Sequence, residues 1–211
     1  MANLNDLYTA ILTGKLPVAV QVTKEAIAEE INPQYIINNY MVKAMEEIGT
    51  RFEAGKAFVP ELLMAARAMK GSLELLKSHL SSSDAQPMGK VVIGTVKGDL
   101  HDIGKNLVAS MFEGCGFEVI NLGTDVSAKK FVDAVNEYHA DILCMSALLT
   151  TTMNYMSEVV AALHESGIRN QVKVMVGGAP VTAEYARKIG ADGYSDNANA
   201  AVVVARNLLA S

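Results

Sequence analysis

Basic charge, cysteine and long apolar runs are all scarce in this chain of 211 residues. Lys and Arg number 18 against 23 Asp and Glu, a formal net charge of −5. With no basic stripe, a nucleic-acid partner is not expected. No apolar run reaches the roughly 18–20 residues that span a bilayer, so no membrane association is expected. The opening Met1-Ala2-Asn3-Leu4-Asn5-Asp6 lacks the positive start of a secretory signal. Only two cysteines occur, Cys115 and Cys144, both in apolar segments. This excludes a disulfide framework and fits buried thiols in a reducing cytoplasm. What the chain does have is apolar material: 50% of residues are hydrophobic and 19% charged. That supports a folded core and excludes disorder as the dominant state.

The apolar residues follow two different periods. Ile37, Met41, Met45, Ile48 and Phe52 recur every three or four positions, as do Leu62, Ala65, Met69, Leu73, Leu76 and Leu80. Each set lies on one helix face. Pro17 and Pro33 suit first turns, with Asn32 a cap for the second. The spacing predicts helices over 4–13, 17–31, 33–53 and 60–80. Short connections make them an antiparallel four-helix bundle. The small and polar stretch Ser81–Gly89 then reads as a linker between a helical domain at 1–83 and a second domain at 89–211.

Beyond the linker, short β-branched runs at 91–95, 118–122, 142–146, 172–176 and 193–194 alternate with helices near 104–114, 128–138, 152–166, 181–189 and 198–209. This predicts an α/β domain with a doubly wound, flavodoxin-like (Rossmann-type) parallel sheet of five strands. Ligands of such sheets sit beyond the carboxyl ends of the strands, at the switch point, here between the first and third strands.

The loop after the first strand reads Gly98-Asp99-Leu100-His101-Asp102-Ile103-Gly104-Lys105-Asn106. It fails as a phosphate loop, because five residues separate its glycines and Asn follows Lys. A phospho-acceptor Asp at the end of the third strand is replaced by Ser146. What remains is Asp99 two residues before His101, a pair able to fix one ring nitrogen and leave the other as a metal donor. The residues alone also admit a surface histidine beside a helix-capping Asp102, or a divalent-metal site built from Asp99, His101 and Asp102. The hydroxyl-rich Ser146-Ala147-Leu148-Leu149-Thr150-Thr151-Thr152 and the Gly177-Gly178-Ala179-Pro180 turn follow the third and fourth strands. Each alone reads equally well as an ordinary strand-to-helix connection.

Together the three loops are specific. Asp99-x-His101-x-x-Gly104, then Ser146-x-Leu148 after 41 residues and Gly177-Gly178 after a further 28, resemble the signature of the corrinoid-binding domains of methyltransferases and mutases. The resemblance covers the C-terminal half end to end. In the other half, Arg51-Phe52-Glu53-Ala54-Gly55-Lys56-Ala57-Phe58-Val59-Pro60-Glu61-Leu62-Leu63 resembles the helical cap that precedes this domain in methionine synthase and in corrinoid methyl-carrier proteins.

The resemblance implies a cobamide whose own lower base is displaced, with His101 on cobalt, the metal ligand, and Asp99 supporting it. Thr152 stands where the methionine synthase branch has a serine that completes the relay. The cofactor surface implied comprises Gly98, Leu100, Asp102, Ile103 and Gly104. The nucleotide tail would run past Ser146, Leu148, Thr150, Gly177, Gly178 and Ala179. Phe58, Leu62 and Met69 are candidates for the cap's apolar contact, though such residues also serve as bundle core. The length resembles that of the small corrinoid proteins that carry a methyl group through a methyl-Co(III)/Co(I) cycle. Such a carrier implies a methyl-donor methyltransferase, an acceptor methyltransferase linked to tetrahydrofolate or a thiol, and a reductive activation protein. A passive cobamide-binding, storage or sensing module is the alternative.

Overall fold

The computed structural model describes residues 2–79 and 87–210. They divide into two compact units, one of 2–79, 87–88 and 113–116, the other of 89–112 and 117–210. The expected end of the first domain at residue 83 and most of the expected linker lie outside the described residues.

The first unit is helical. Helices α1 (Leu4–Leu12) and α2 (Leu16–Ala28) precede α3 (Pro33–Ile36). The backbone runs on through a π-helical turn, Ile37–Met41, into α4 (Val42–Glu53), and α5 (Val59–Lys77) follows. Asn32 caps α3 by accepting from the Tyr35 amide at 3.0 Å, and Pro33 fills the first turn. The π turn corrects one expected position. An i to i+5 turn widens the spacing of a helix face, so Ile36 and Met41 are the fully buried pair and Ile37 is only partly covered.

The second unit is the expected parallel sheet. Strands β1 (Lys90–Thr95), β2 (Glu118–Asn121), β3 (Ile142–Ser146), β4 (Lys173–Gly177) and β5 (Gly193–Tyr194) lie in the order β2-β1-β3-β4-β5. Helices α6 (Ile103–Gly114), α7 (Ala128–Tyr138), α8 (Asn154–Glu165), α9 (Ala183–Ile189) and α10 (Ala198–Leu209) connect and follow them. The inner strands are apolar through their middles because helices cover both faces. Val91, Val92, Ile142, Leu143 and Val174 are fully buried.

Register sets the position of the loops. Thr95 pairs with Ser146, and Ser146 with Gly177. Three strands therefore end flush, and the loops that follow emerge side by side along one edge. The chain order reverses between β1 and β3, so the first two of these loops flank the switch point.

Candidate functional site

Asp99 is the centre of the edge formed by these loops. Its side chain is fully buried, and both carboxylate oxygens accept. The His101 ring Nδ1 reaches Oδ1 at 2.7 Å and the His101 amide reaches it at 3.0 Å. On the other side the Leu148 amide donates to Oδ2 at 2.7 Å, the Leu149 amide at 3.3 Å and the Thr152 hydroxyl at 2.8 Å. Burial alone would push this carboxyl up. The Leu148 amide, the His101 amide and ring, and the Thr152 hydroxyl outweigh that and hold it well below the usual carboxylate range. Asp99 is thus an anion at neutral pH, stabilised by a turn donated from the loop after β3.

An ionised carboxylate only accepts, so the His101 Nδ1 carries the ring proton and the lone pair is on Nε2. The ring is 52% exposed while its carboxylate partner is 0% exposed. The backbone is held as well, since the Thr95 hydroxyl donates to the His101 carbonyl at 2.8 Å. The result is an oriented nitrogen donor at the surface with its polarity set from below.

The donors do not assemble into a site for a bare ion. Among the described residues no group of three or more His, Cys, Asp or Glu side chains converges. Asp102 accepts from the Asn106 side-chain amide at 2.9 Å, and the oxygens of Asp99 are already committed. The divalent-metal reading therefore lacks its ligand set. One imidazole suits a metal whose other positions are filled by a macrocycle.

The surface around His101 has the matching character. Leu100 is 73% exposed, Ile103 86%, and Leu148 and Leu149 42% each, an apolar skirt suited to the face of a large ring. Gly104, in the first turn of α6, has nothing within contact range of a Cβ added there. Protein packing gives no reason for glycine at that helical position, whereas a ligand approaching closely would. At Gly178 the opposite holds. Its φ is +124°, and an added Cβ would overlap the Ala147 carbonyl oxygen. This glycine lets the turns after β3 and β4 approach. Ser146 and Gly177 are partly buried at the strand ends, and Thr150, Gly178 and Ala179 are exposed beyond them. These features fit a corrinoid.

The expected cap residues divide. Leu62 and Met69 are fully buried, while Phe58 is 69% exposed. The burial of Leu62 and Met69 is what helical spacing on an amphipathic face ordinarily means. Sequence reasoning missed Asp125. Its carboxylate accepts from the Gly98 amide at 2.7 Å and its amide donates to the Asp99 carbonyl at 3.0 Å, with φ at +54°. Its signal was available, a Gly-x-Asp turn closing β2 at the same sheet edge. The Leu148 and Leu149 amides had none.

Residues 89–203 match a family described as a B12 binding domain, and residues 4–77 match a second family with the same description. The dimethylamine corrinoid protein 1 of Methanosarcina acetivorans is 45% identical over 98% of this chain and 97% of its own. Among solved structures, a cobalamin-binding protein from Desulfitobacterium hafniense superposes with a TM-score of 0.84 at 34% identity, covering 99% of both chains. A chain of the methanol:cobalamin methyltransferase complex of Methanosarcina barkeri superposes with a TM-score of 0.84 at 30% identity, covering 99% of this chain and 80% of that one.

Proposed function

The chain belongs to the family of B12-binding corrinoid proteins, and from that premise we propose how its own residues hold the cofactor and serve methyl transfer. Its cofactor is a cobamide, and its work is that of a methyl carrier in a methyltransferase system. The bound corrinoid supplies a metal centre that takes up and gives up a methyl group, chemistry that no side chain offers.

His101 would hold the cofactor's metal through Nε2. The observation that carries this reading is the fully buried Asp99 carboxylate on the far nitrogen of a half-exposed ring. Asp99 keeps the proton on Nδ1 and strengthens donation from Nε2. Thr152 holds Asp99 in place, as the serine of the methionine synthase branch would, and the anionic Asp99 carboxylate would stabilise positive charge on the imidazole. The exposed Leu100, Ile103 and Leu148 would lie against the ring, and the turns at Ser146 and Gly177–Ala179 would receive the nucleotide tail.

The chain works with methyltransferases that load and unload the cofactor, the acceptor side linked to tetrahydrofolate or a thiol, and with a protein that restores the reduced metal. A methylated amine is the first donor to assay, given the near full-length relative named for dimethylamine. The setting is the cytoplasm. In support, Cys115 and Cys144 are both buried thiols outside any disulfide.

The test is anaerobic reconstitution with cobalamin, a visible spectrum, and methylation by a methylamine-specific methyltransferase. The expected result is a stoichiometric, methylatable complex that His101→Ala fails to form or forms without a protein nitrogen on the metal. A His101→Ala protein with the wild-type Co(II) spectrum would overturn the assignment.

A further inference from the structure

Thr95, Lys105, Asn106 and Asn121 take no part in the Asp99 cluster, yet they close a ring of hydrogen bonds around the backbone of the same histidine. Lys105 Nζ donates to Asn106 Oδ1 at 2.6 Å and to Asn121 Oδ1 at 2.7 Å. The Asn121 side-chain amide also donates to Asn106 Oδ1, at 3.1 Å. In one direction Asn106 donates to the Asp102 carboxylate at 2.9 Å, and its own backbone amide donates to the Asp102 carbonyl at 2.7 Å. In the other, Asn121 Oδ1 accepts from the Gly123 amide at 3.1 Å, and the Gly123 carbonyl accepts from the Thr95 amide at 3.0 Å. The Thr95 hydroxyl then reaches the His101 carbonyl at 2.8 Å. The ring closes through the peptide bond between His101 and Asp102.

Lys105 is the costly member of this ring. It is only 3% exposed, and a buried ammonium is expensive unless paired. Both of its recorded acceptors are neutral amide oxygens. An apolar side chain of similar length would avoid the desolvation cost. What the ammonium adds is a second tie between the first turn of α6, which carries Asn106, and the end of β2, which carries Asn121, beside the direct bond from the Asn121 amide to Asn106.

We propose that Lys105 is a positioning residue for the cofactor reaction: by latching Asn106 to Asn121 it holds the His101–Asp102 backbone and so sets how the imidazole meets the metal. Asp99 orients the ring, and the Lys105 latch sets the height of the chain that bears it. The proposal rests on His101 being the axial ligand.

The test uses the full chain labelled with nitrogen-15 histidine, loaded with cobalamin and reduced to Co(II). Its paramagnetic resonance spectrum separates metal bearing a protein histidine from metal without one. Lys105→Met should lower the ratio of histidine-ligated to histidine-free metal roughly tenfold, the lower end of what losing a partner behind a metal ligand costs. Asn121→Leu should do the same, and the double variant should be no worse than either, because both act through one latch. In the cofactor-free protein, Lys105→Met should speed exchange of the His101 Nδ1 proton with water by a similar factor. That readout holds even if a variant retains no cobalamin. Wild-type protein without nitrogen-15 coupling would overturn the His101 assignment and this proposal together. Coupling in the wild type, with an unchanged ratio and unchanged proton exchange in the variants, would overturn the role of Lys105 alone. So would additive losses in the double variant.

Discussion

Replacing Asp99 with asparagine keeps the shape, removes the charge and moves a proton. All five recorded partners of the carboxylate are donors: the His101 amide and ring, the Leu148 and Leu149 amides and the Thr152 hydroxyl. A carboxamide has one NH2 group, which must face one of these two sets. Facing the loop after β3, it strands two backbone N–H groups, although Thr152 can still donate to the Leu149 carbonyl at 2.9 Å. Facing His101, it strands one backbone N–H, and the ring can respond by moving its proton from Nδ1 to Nε2. Each stranded buried donor costs about 1–3 kcal/mol, so the second arrangement wins. Asp99→Asn therefore places a proton on the atom proposed to bind metal.

Folding stability should fall by about 2–4 kcal/mol, from one stranded amide and the loss of charge from the surviving bonds. Cobamide affinity should fall about 10–100-fold. Nitrogen-15 NMR of the imidazole in the cofactor-free protein reads the tautomer, and denaturant unfolding reads the stability. An Asp99→Asn protein that keeps the Nδ1–H tautomer and binds cobalamin like the wild type would refute the reasoning.

Other substitutions separate packing from ligand binding. Gly178→Ala should cost both folding and cobalamin retention, since its Cβ would overlap the Ala147 carbonyl at a φ of +124°; wild-type thermal stability would show that the two turns are not rigidly apposed. Gly104→Ala should split the two properties, because a Cβ there meets no protein atom. Helix propensity should stabilise the cofactor-free chain by at most about 1 kcal/mol, while cobalamin titration should show weaker binding; equal or tighter binding would mean the ligand does not approach that turn. Burial pushes the Cys144 thiol up to about 12, so iodoacetamide at neutral pH should leave it unmodified until the protein unfolds. Mass spectrometry finding rapid labelling of Cys144 in the native state would contradict that burial.

The amino-acid order alone carried the two periods, and with them the helical half and the alternating strands and helices. This is because burial along one helix or strand follows local backbone geometry. The three loops at the strand ends were legible for the same reason, as was the Asp99–His101 pair, whose members are two residues apart. Within those elements the reading failed where geometry departed from the ideal. The π turn at Ile37–Met41 shifted the buried position to Ile36, and helical spacing could not tell that Leu62 is buried while Phe58 is exposed. Only the tertiary structure decided what holds Asp99 from the far side. The Leu148 and Leu149 amides lie 49 and 50 residues away along the chain, and a backbone N–H looks the same in every residue but proline. Where it points depends on loop dihedrals set by the pairing of Thr95 with Ser146 and of Ser146 with Gly177. The pairing of β2 with β1, not any local pattern, brings Asn121 to Lys105 and Asp125 to Gly98.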